Sequence, residues 1–574
     1  MVDFIICYRL DLKQSNILDL FQTTPSSLKK IITGGYELLL WGDPIIRESG
    51  LDELQKKETV SCKQLLENIS GHFYYLLYSK IEKKISIGSS LFSILPVYYT
   101  SENGKVFLSN STLAIAQKLT TVSVSKRFVL ENILFNYPLF NHTCFNEIKL
   151  LDANHTIQLI ENSYRIEKVL AIEDYFVKHP TPWKSEVDRI SNLFIKQVEK
   201  YFPNEPYLVS LTGGFDGRTL VAASLYYKKK FSTFSFGNPS TKDVKIPEQL
   251  AASAGLGYRR IDLGKDYQLE HSLKNGLEFV EGACGAAGFS RAHYLYAVKN
   301  LSEKSRHMVT GNFGSEIFRA SHIAGAVISP NLYRLFHAEN FETAIQDVQN
   351  SPEWGAINRS EFLAEWEVLK EDLKELPCFN KNYAHFSKNM QFYCVVFNEV
   401  FRKYFGAEIV NQFKYLVNRT PFLDFEFVKE ILKTELCGVY SDFFTHNPLK
   451  RFKGQVTYSH IIQKTYVDFG NQLTDKGYAP KSLLSLTGKL GILISFIKKR
   501  IKKESQEEAD GYSVSASYRQ NKEYFEKELT NHRFFNRDYF EQGVQKAPSG
   551  KNSYFIALSQ KWWVQHLEKN YVTK

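Results

Sequence analysis

Residues 208–223 constrain this chain more than any other stretch. Leu208-Val209-Ser210-Leu211 is an apolar run that feeds Thr212-Gly213-Gly214-Phe215-Asp216-Gly217, and Arg218-Thr219-Leu220-Val221-Ala222-Ala223 continues as a helix-like segment. A strand that turns through two glycines into a helix brings backbone N–H groups and the positive helix end to one point, which is how a chain seats an anion. Asp216 adds one carboxylate, suited to a divalent cation held between phosphates. No Gly-Lys-Ser/Thr ending follows, so the loop is not of the Walker type. Taken alone, the segment also fits a tight strand-to-helix turn with a surface aspartate.

The next eighty residues extend the pattern. Phe231-Ser232-Thr233-Phe234-Ser235-Phe236-Gly237 reads as a second buried strand, 246–255 as a helix with an early proline and a terminal glycine, and Tyr258–Leu263 as a third strand. Strand, helix, strand, helix, strand at this spacing predicts a doubly wound parallel sheet with right-handed crossovers, whose ligands bind at the carboxyl ends of the strands. The loops after Ser210 and Phe236 both fall on that edge.

Four segments in the same order resemble the asparagine synthetase family of ATP pyrophosphatases. The family's Ser-Gly-Gly-x-Asp-Ser is similar to residues 212–217, and its Ser-x-Gly followed by Ser-Lys-Asp-Val to Ser235-Phe236-Gly237 and Thr241-Lys242-Asp243-Val244. Its Ser-Gly-Glu-Gly-Ser-Asp-Glu-x-Phe resembles Thr310-Gly311-Asn312-Phe313-Gly314-Ser315-Glu316-Ile317-Phe318, and its Arg-x-Pro-Phe-Leu-Asp resembles Arg419-Thr420-Pro421-Phe422-Leu423-Asp424. The resemblance implies ATP and Mg²⁺. Pyrophosphate would lie on the amides of Gly213, Gly214 and Asp216, with Thr212, Gly217 and Gly311 shaping the crevice, and adenine and ribose on the backbone of Leu211, Ser235 and Gly237, beside Phe236. Asp216 would hold the metal. Arg218 stands where the family often has serine; either it reaches a phosphate or it is an ordinary surface arginine.

Two departures bear on the chemistry. The family's glutamate base is Asn312 here, which takes up no proton at neutral pH. The aspartate of its second metal contact is Ser315; either Glu316 supplies that carboxylate from a shifted register or the contact is weakened. The stretch Gln472–Tyr478 resembles a late family segment with lysine, glycine and an aromatic, making Lys476 the candidate for countering charge during acyl transfer; an ordinary turn lysine is the alternative. His142, His293 and His322 show no metal-ligand spacing and read as isolated polar residues.

Residues 68–78, 84–88, 95–99 and 105–109 alternate like four antiparallel strands. They resemble the family's glutamine amidotransferase half, an Ntn-type αββα sandwich. That half requires a cysteine directly after the initiator methionine, whose free amine serves as base. This chain begins Met1-Val2-Asp3-Phe4-Ile5-Ile6-Cys7, and Cys7 reads as a core residue of a strand. The resemblance then implies a degenerate amidotransferase domain, as in relatives that close β-lactam rings or lasso peptides.

The expected organisation is a degenerate amidotransferase-like domain over 1–170, an ATP pyrophosphatase domain over 171–505 with a mostly helical stretch from 330, and a helical tail over 506–574 that packs back on the core. The clearest polar break is Gln506–Gly511. In a chain of 574 residues with 43% hydrophobic content this is ample for large cores. The net charge of +10 is scattered, without the interleaved aromatic and basic stripe of a nucleic-acid surface. Seven dispersed cysteines without a C-x-x-C pair suggest reduced thiols and a cytoplasmic home. The basic run Lys498–Lys503 after a short apolar segment cannot cross a bilayer; it reads as a solvated helix end, or at most an element lying on an anionic membrane. The expected function is an ATP-dependent, AMP-forming carbon–nitrogen ligase acting on a small-molecule or peptide substrate. Glutamine-hydrolysing asparagine synthesis and a noncatalytic nucleotide-binding relic are the alternatives.

Overall fold

The computed structural model describes residues 4–10, 17–46, 48–318, 327–440, 448–501, 514–548 and 550–572. Its first part holds eleven strands: β1 (Ile5–Arg9), β2 (Phe21–Thr23), β3 (Lys29–Ile32), β4 (Tyr36–Gly42), β5 (Phe73–Ser79), β6 (Lys84–Ser89), β7 (Tyr98–Glu102), β8 (Lys105–Ser109), β9 (Lys149–Leu150), β10 (His155–Ile160) and β11 (Ser163–Lys168). They form two antiparallel sheets, ordered β2-β1-β8-β7-β9 and β11-β10-β6-β5-β4-β3. Alternation explains the packing of one sheet on the other. Ile6 and Tyr8 of β1 point inward, and Phe4, just before that strand, meets Trp41 and Tyr74 of the second sheet edge-on at 5.1 and 5.0 Å. All four strands expected between residues 68 and 109 are present; two begin where expected, at Lys84 and Lys105, while the others begin later, at Phe73 and Tyr98 rather than 68 and 95. Helix α1 (Lys126–Phe135), capped by Ser125, lies between β8 and β9 in the chain.

The parallel sheet begins after α2 (Trp183–Val198). Its strands are β12 (Tyr207–Ser210), β13 (Phe231–Gly237), β14 (Tyr258–Asp262), β15 (His307–Val309) and β16 (Val417–Arg419), in the order β14-β13-β12-β15-β16. Helix α3 (Asp216–Tyr226) joins β12 to β13, and α4 (Lys242–Ser253) joins β13 to β14. From β12 the chain first moves outward through β13 and β14, then returns to the opposite side of β12 with β15. That reversal creates a switch point where the loops after β12 and β15 diverge, the crevice in which open α/β sheets bind ligands.

The remainder is largely helical, including α5 (Gly314–Phe318), α6 (Gly406–Phe413), α7 (Phe425–Ile431), α8 (Pro448–Thr465), α9 (Leu486–Ile501) and α10 (Gly550–Asn570). Two details differ from the sequence reading. Helix α4 starts at Lys242, four residues early, so Pro247 lies inside it. Strand β16 falls within the stretch read as helical, because three residues are too few to show a period of two. Gln560 of α10 donates to the carbonyl of Gly285, and the Ser559 hydroxyl accepts from Phe289 N–H. The Gln506–Gly511 break lies outside the described residues.

Candidate functional site

The glycine loop sits where its pattern placed it. Leu211 N–H donates to Phe234 O, continuing the parallel ladder one residue beyond β12 before the chain turns. A β-carbon on Gly217 would collide with the carbonyl oxygen of Ser210, so only glycine lets the helix start so close to the strand end. Gly214 stands nearly free, with the Thr212 hydroxyl 3.6 Å from where a β-carbon would lie and 3.4 Å from its N–H. Phe215, at the N-cap of α3, contributes no side-chain hydrogen bond. The first N–H groups of this helix thus lack the side-chain acceptor that most helix starts carry, and they face the switch point.

The loop after β15 closes on Asp216 from the side. Gly311 packs so tightly that a β-carbon there would lie 2.5 Å from the Asp216 β-carbon. Ser315, in the first turn of α5, donates to Asp216 Oδ2 at 2.8 Å, and Tyr458 of α8 donates to Oδ1. The turn is held under strain: Phe313 adopts φ +71°, with its ring 4.9 and 4.6 Å from Phe401 and Phe405. A bulky residue in the left-handed region persists only where packing over-determines it. Glu316 lies one residue further on. Its carbonyl accepts from the Tyr393 hydroxyl at 3.0 Å, and its charge reaches the buried Tyr404 phenol.

Asn312 leads to a residue that sequence reading missed. Its side-chain amide donates to Glu408 Oε1 at 3.3 Å, to which Gln412 also donates at 2.9 Å, while Arg291 donates to Oε2 at 2.8 Å. Arg291 stacks over the Tyr404 ring at 4.0 Å. A buried carboxylate and its guanidinium partner therefore stand directly behind the position of the family's glutamate. The available signal was a glutamate in α6 followed at i+3 and i+4 by Asn411 and Gln412, amides on an otherwise apolar helix.

Lys476 lies in a loop docked on the glycines. Asp475 N–H donates to Gly213 O at 3.0 Å, and Thr474 closes the loop by bonding Tyr478 O through both its N–H and its hydroxyl. Arg218 sets this loop and corrects both readings of that residue. It is neither on the surface nor directed at the crevice but fully buried, donating to the carbonyls of Phe469, Gln472 and Leu473 at 3.1, 2.7 and 2.9 Å. Asp243, in the first turn of α4, has its carboxyl pushed up by burial and then by the charge of Asp475. Asp475 Oδ1 is itself buried without a hydrogen-bond partner.

On the nucleotide side of the sequence reading, the Ser235 hydroxyl is 2.6 Å from that of Tyr258, Gly237 takes φ +142° at the end of β13, and Phe236 packs on His293 and Tyr294. Burial holds the His293 imidazole well below its usual range, so it is neutral. His142 is a satisfied polar residue, as read, with its ring nitrogen 3.1 Å from the buried Glu131 carboxylate. His322 lies outside the described residues, and among those described no three His, Cys, Asp or Glu converge as a metal site.

The 419–424 segment binds the antiparallel sheets to the parallel one. Arg419 forms a bidentate pair with Asp43 at 2.8 and 2.9 Å, and Thr420 Oγ1 lies 2.8 Å from the buried His72 ring. Asp424 caps α7 and accepts from Ser70, Tyr201 and Lys200. Cys7 is half-buried on β1 opposite Phe107, and burial pushes its thiol up.

Comparison with known proteins gives a distant likeness. No family model matches the chain. It is 18% identical over 201 residues to asparagine synthetase [glutamine-hydrolyzing] 1 of Bacillus subtilis (strain 168), a match covering 34% of this chain and 31% of that protein. The chain is thus distantly similar, over about a third of its length, to a ligase-type enzyme.

Proposed function

We propose that this protein is an ATP-dependent amide-forming ligase of asparagine synthetase type, which adenylates a substrate carboxylate and passes the acyl group to an amine without hydrolysing glutamine. In this reading residues 1–170 are a degenerate Ntn-type amidotransferase domain, 171–505 the ATP pyrophosphatase domain and 506–574 its helical tail. The observation that carries it is the uncapped start of α3 at the carboxyl end of the central strand, with Asp216 against the neighbouring loop.

The donor set fits a nucleotide. Amides at Gly213, Gly214 and Asp216 suit pyrophosphate, and backbone groups of Leu211, Ser235 and Gly237 suit adenine and ribose. It also fits Mg²⁺, which takes few protein ligands and keeps its waters: Asp216 would hold it beside the Ser315 hydroxyl, where it would neutralise phosphate charge. Negative charge at Asp243 and Asp475 beside the loop favours a cation further.

In the first step a substrate carboxylate oxygen attacks the α-phosphorus, the bond to the bridging oxygen breaks and pyrophosphate leaves. In the second an amine attacks the acyl carbon, loses a proton and displaces AMP. The chain's contribution is positioning and charge: Lys476 counters the developing anion, and Asn312, its N–H held by Glu408, presents its carbonyl oxygen to the incoming amine. A nucleotide-holding relic is favoured by Asn312 and Ser315, which stand where the family has carboxylates. Glutamine hydrolysis is opposed by Cys7, whose place inside β1 leaves no free amine beside the thiol.

Pyrophosphate release from ATP with candidate carboxylates tests the proposal. Asp216→Ala is expected to lower it by at least about a hundredfold. Orthophosphate release instead, or no turnover with any carboxylate, favours the relic; glutamine hydrolysis by the intact chain refutes the reading of residues 1–170.

A further inference from the structure

The six-stranded antiparallel sheet carries a cavity of about 500 Å³, within the size range of small-molecule sites. Tyr74 of β5 packs toward the other sheet, so Tyr75 and Leu77 face the opposite way. Leu77, Ser86 and Gln158 stand side by side on β5, β6 and β10 and form the cavity floor. Residues 59–64, which lead into the helix Cys62–Asn68, form one wall. All the lining lies between residues 35 and 169, so the inference does not depend on the reaction proposed above.

Tyr75 supplies an unfilled valence at this floor. It stands opposite Gly88, where a β-carbon would lie 2.6 Å from the Tyr75 hydroxyl oxygen; the missing side chain lets the ring lie down across the neighbouring strand. That brings the hydroxyl beside the Cys62 thiol and the Thr156 hydroxyl, both in the cavity lining. It meets neither with hydrogen-bond geometry and is buried without a partner, while the Thr156 hydroxyl is spent on the carbonyl of Ile87 at 3.0 Å. A buried hydroxyl left over in this way is satisfied by what enters the cavity.

Charge describes the occupant. The floor is polar and uncharged, so the group seated on it is neutral. At the edge Lys84 pairs with Glu82 at 2.6 Å, Lys168 pairs with Glu173 at 2.9 Å, and Glu167 accepts from Gln158. Lys63, exposed at the same edge, has no acidic partner among the described residues and leaves one positive charge over.

We propose that this cavity binds a small organic anion rich in hydroxyl groups, whose hydroxyls bond Tyr75 and Ser86 at the floor while its carboxylate or phosphate meets Lys63 at the edge.

Cys62, half-buried in the wall, reports occupancy. The full chain is alkylated with N-ethylmaleimide and read by peptide mass spectrometry, with the half-buried Cys378 as internal control. Gluconate or glucose 6-phosphate, one for each anionic group, is expected to slow labelling of Cys62 about tenfold at about ten times its Kd, leaving Cys378 unchanged. Sorbitol, which lacks the charge, and acetate, which lacks the hydroxyls, should protect far less. Tyr75→Phe and Lys63→Ala should each raise the Kd about tenfold. Because the Tyr75 hydroxyl has no partner in the folded chain, Tyr75→Phe should melt no lower than wild type, which marks the loss as one of binding. Cys62 that fails to react without any probe, absence of protection by both anions, protection by sorbitol equal to theirs, or a clearly lower melt of Tyr75→Phe each overturns the proposal.

Discussion

Arg218→Met separates a brace from a phosphate ligand. The guanidinium makes three hydrogen bonds to carbonyls of residues 469–473, just before the loop that carries Asp475 and Lys476. Bonds from a charged donor contribute about 1.5–3 kcal/mol each. Against them stands the cost of burying the charge: burial draws the Arg218 pKa down to about 10 from 12.5, a penalty of about 3 kcal/mol. Methionine fills most of the volume but leaves three carbonyls without their donor, so the expected net loss is about 3 kcal/mol, within the range for breaking a buried charged contact. For a unit spanning residues 171–505, at about 2.1 cal/mol/K of unfolding entropy per residue, that is a fall in Tm of about 4 °C. Pyrophosphate release should fall with it, because the Lys476 loop loses its anchor, whereas Arg218→Lys should keep part of both. The assays are a thermal melt and ATP titrations of pyrophosphate release. A variant that melts within about 2 °C of wild type but needs far more ATP would refute the bracing argument and restore the phosphate contact.

His72 makes stability depend on pH. Burial lowers its pKa to about 4 in the folded chain, against 6.5, so below pH 6.5 the unfolded chain takes up a proton that the folded one refuses; stability present above 6.5 is lost as pH falls towards 4, by at most about 3 kcal/mol. His72→Asn should flatten denaturant midpoints measured between those pH values; an unchanged slope would show that another group is responsible. Gly311→Ala puts a β-carbon 2.5 Å from that of Asp216 and should abolish pyrophosphate release while shifting the melt by only a few degrees; full activity would mean that the two loops do not need this contact.

Much of the site was legible because its signals are local. The Thr-Gly-Gly-x-Asp turn, the strand ending at Gly237 and the alternation of residues 73–109 depend on backbone freedom and on periods of two and 3.6, which neighbouring residues fix. Arg218 was misread for the opposite reason. Helical spacing placed it one turn from the loop, but whether its guanidinium turned to the crevice or to three carbonyls some 250 residues later depended on chain that arrives only on folding. Glu408 was missed on the same ground, since its partners Arg291 and Asn312 come from separate segments. Residues 419–424 were recognised as a motif, yet nothing local showed that Arg419 would clasp Asp43 across 376 positions.

The order of elements, the glycine turn and the place of Cys7 on a strand were thus written in the sequence, since each follows from residues near in the chain; that Cys7 is half-buried rather than in the core was not. Only the tertiary structure decided that strand reversal around β12 brings the 310–316 loop against Asp216, and that Ser315 and Tyr458 hold its two oxygens. It also decided that Leu486, Leu490 and Ile494 of α9 are exposed to water. Each of these is a pairing of distant surfaces, settled by which contacts the packed chain can satisfy together.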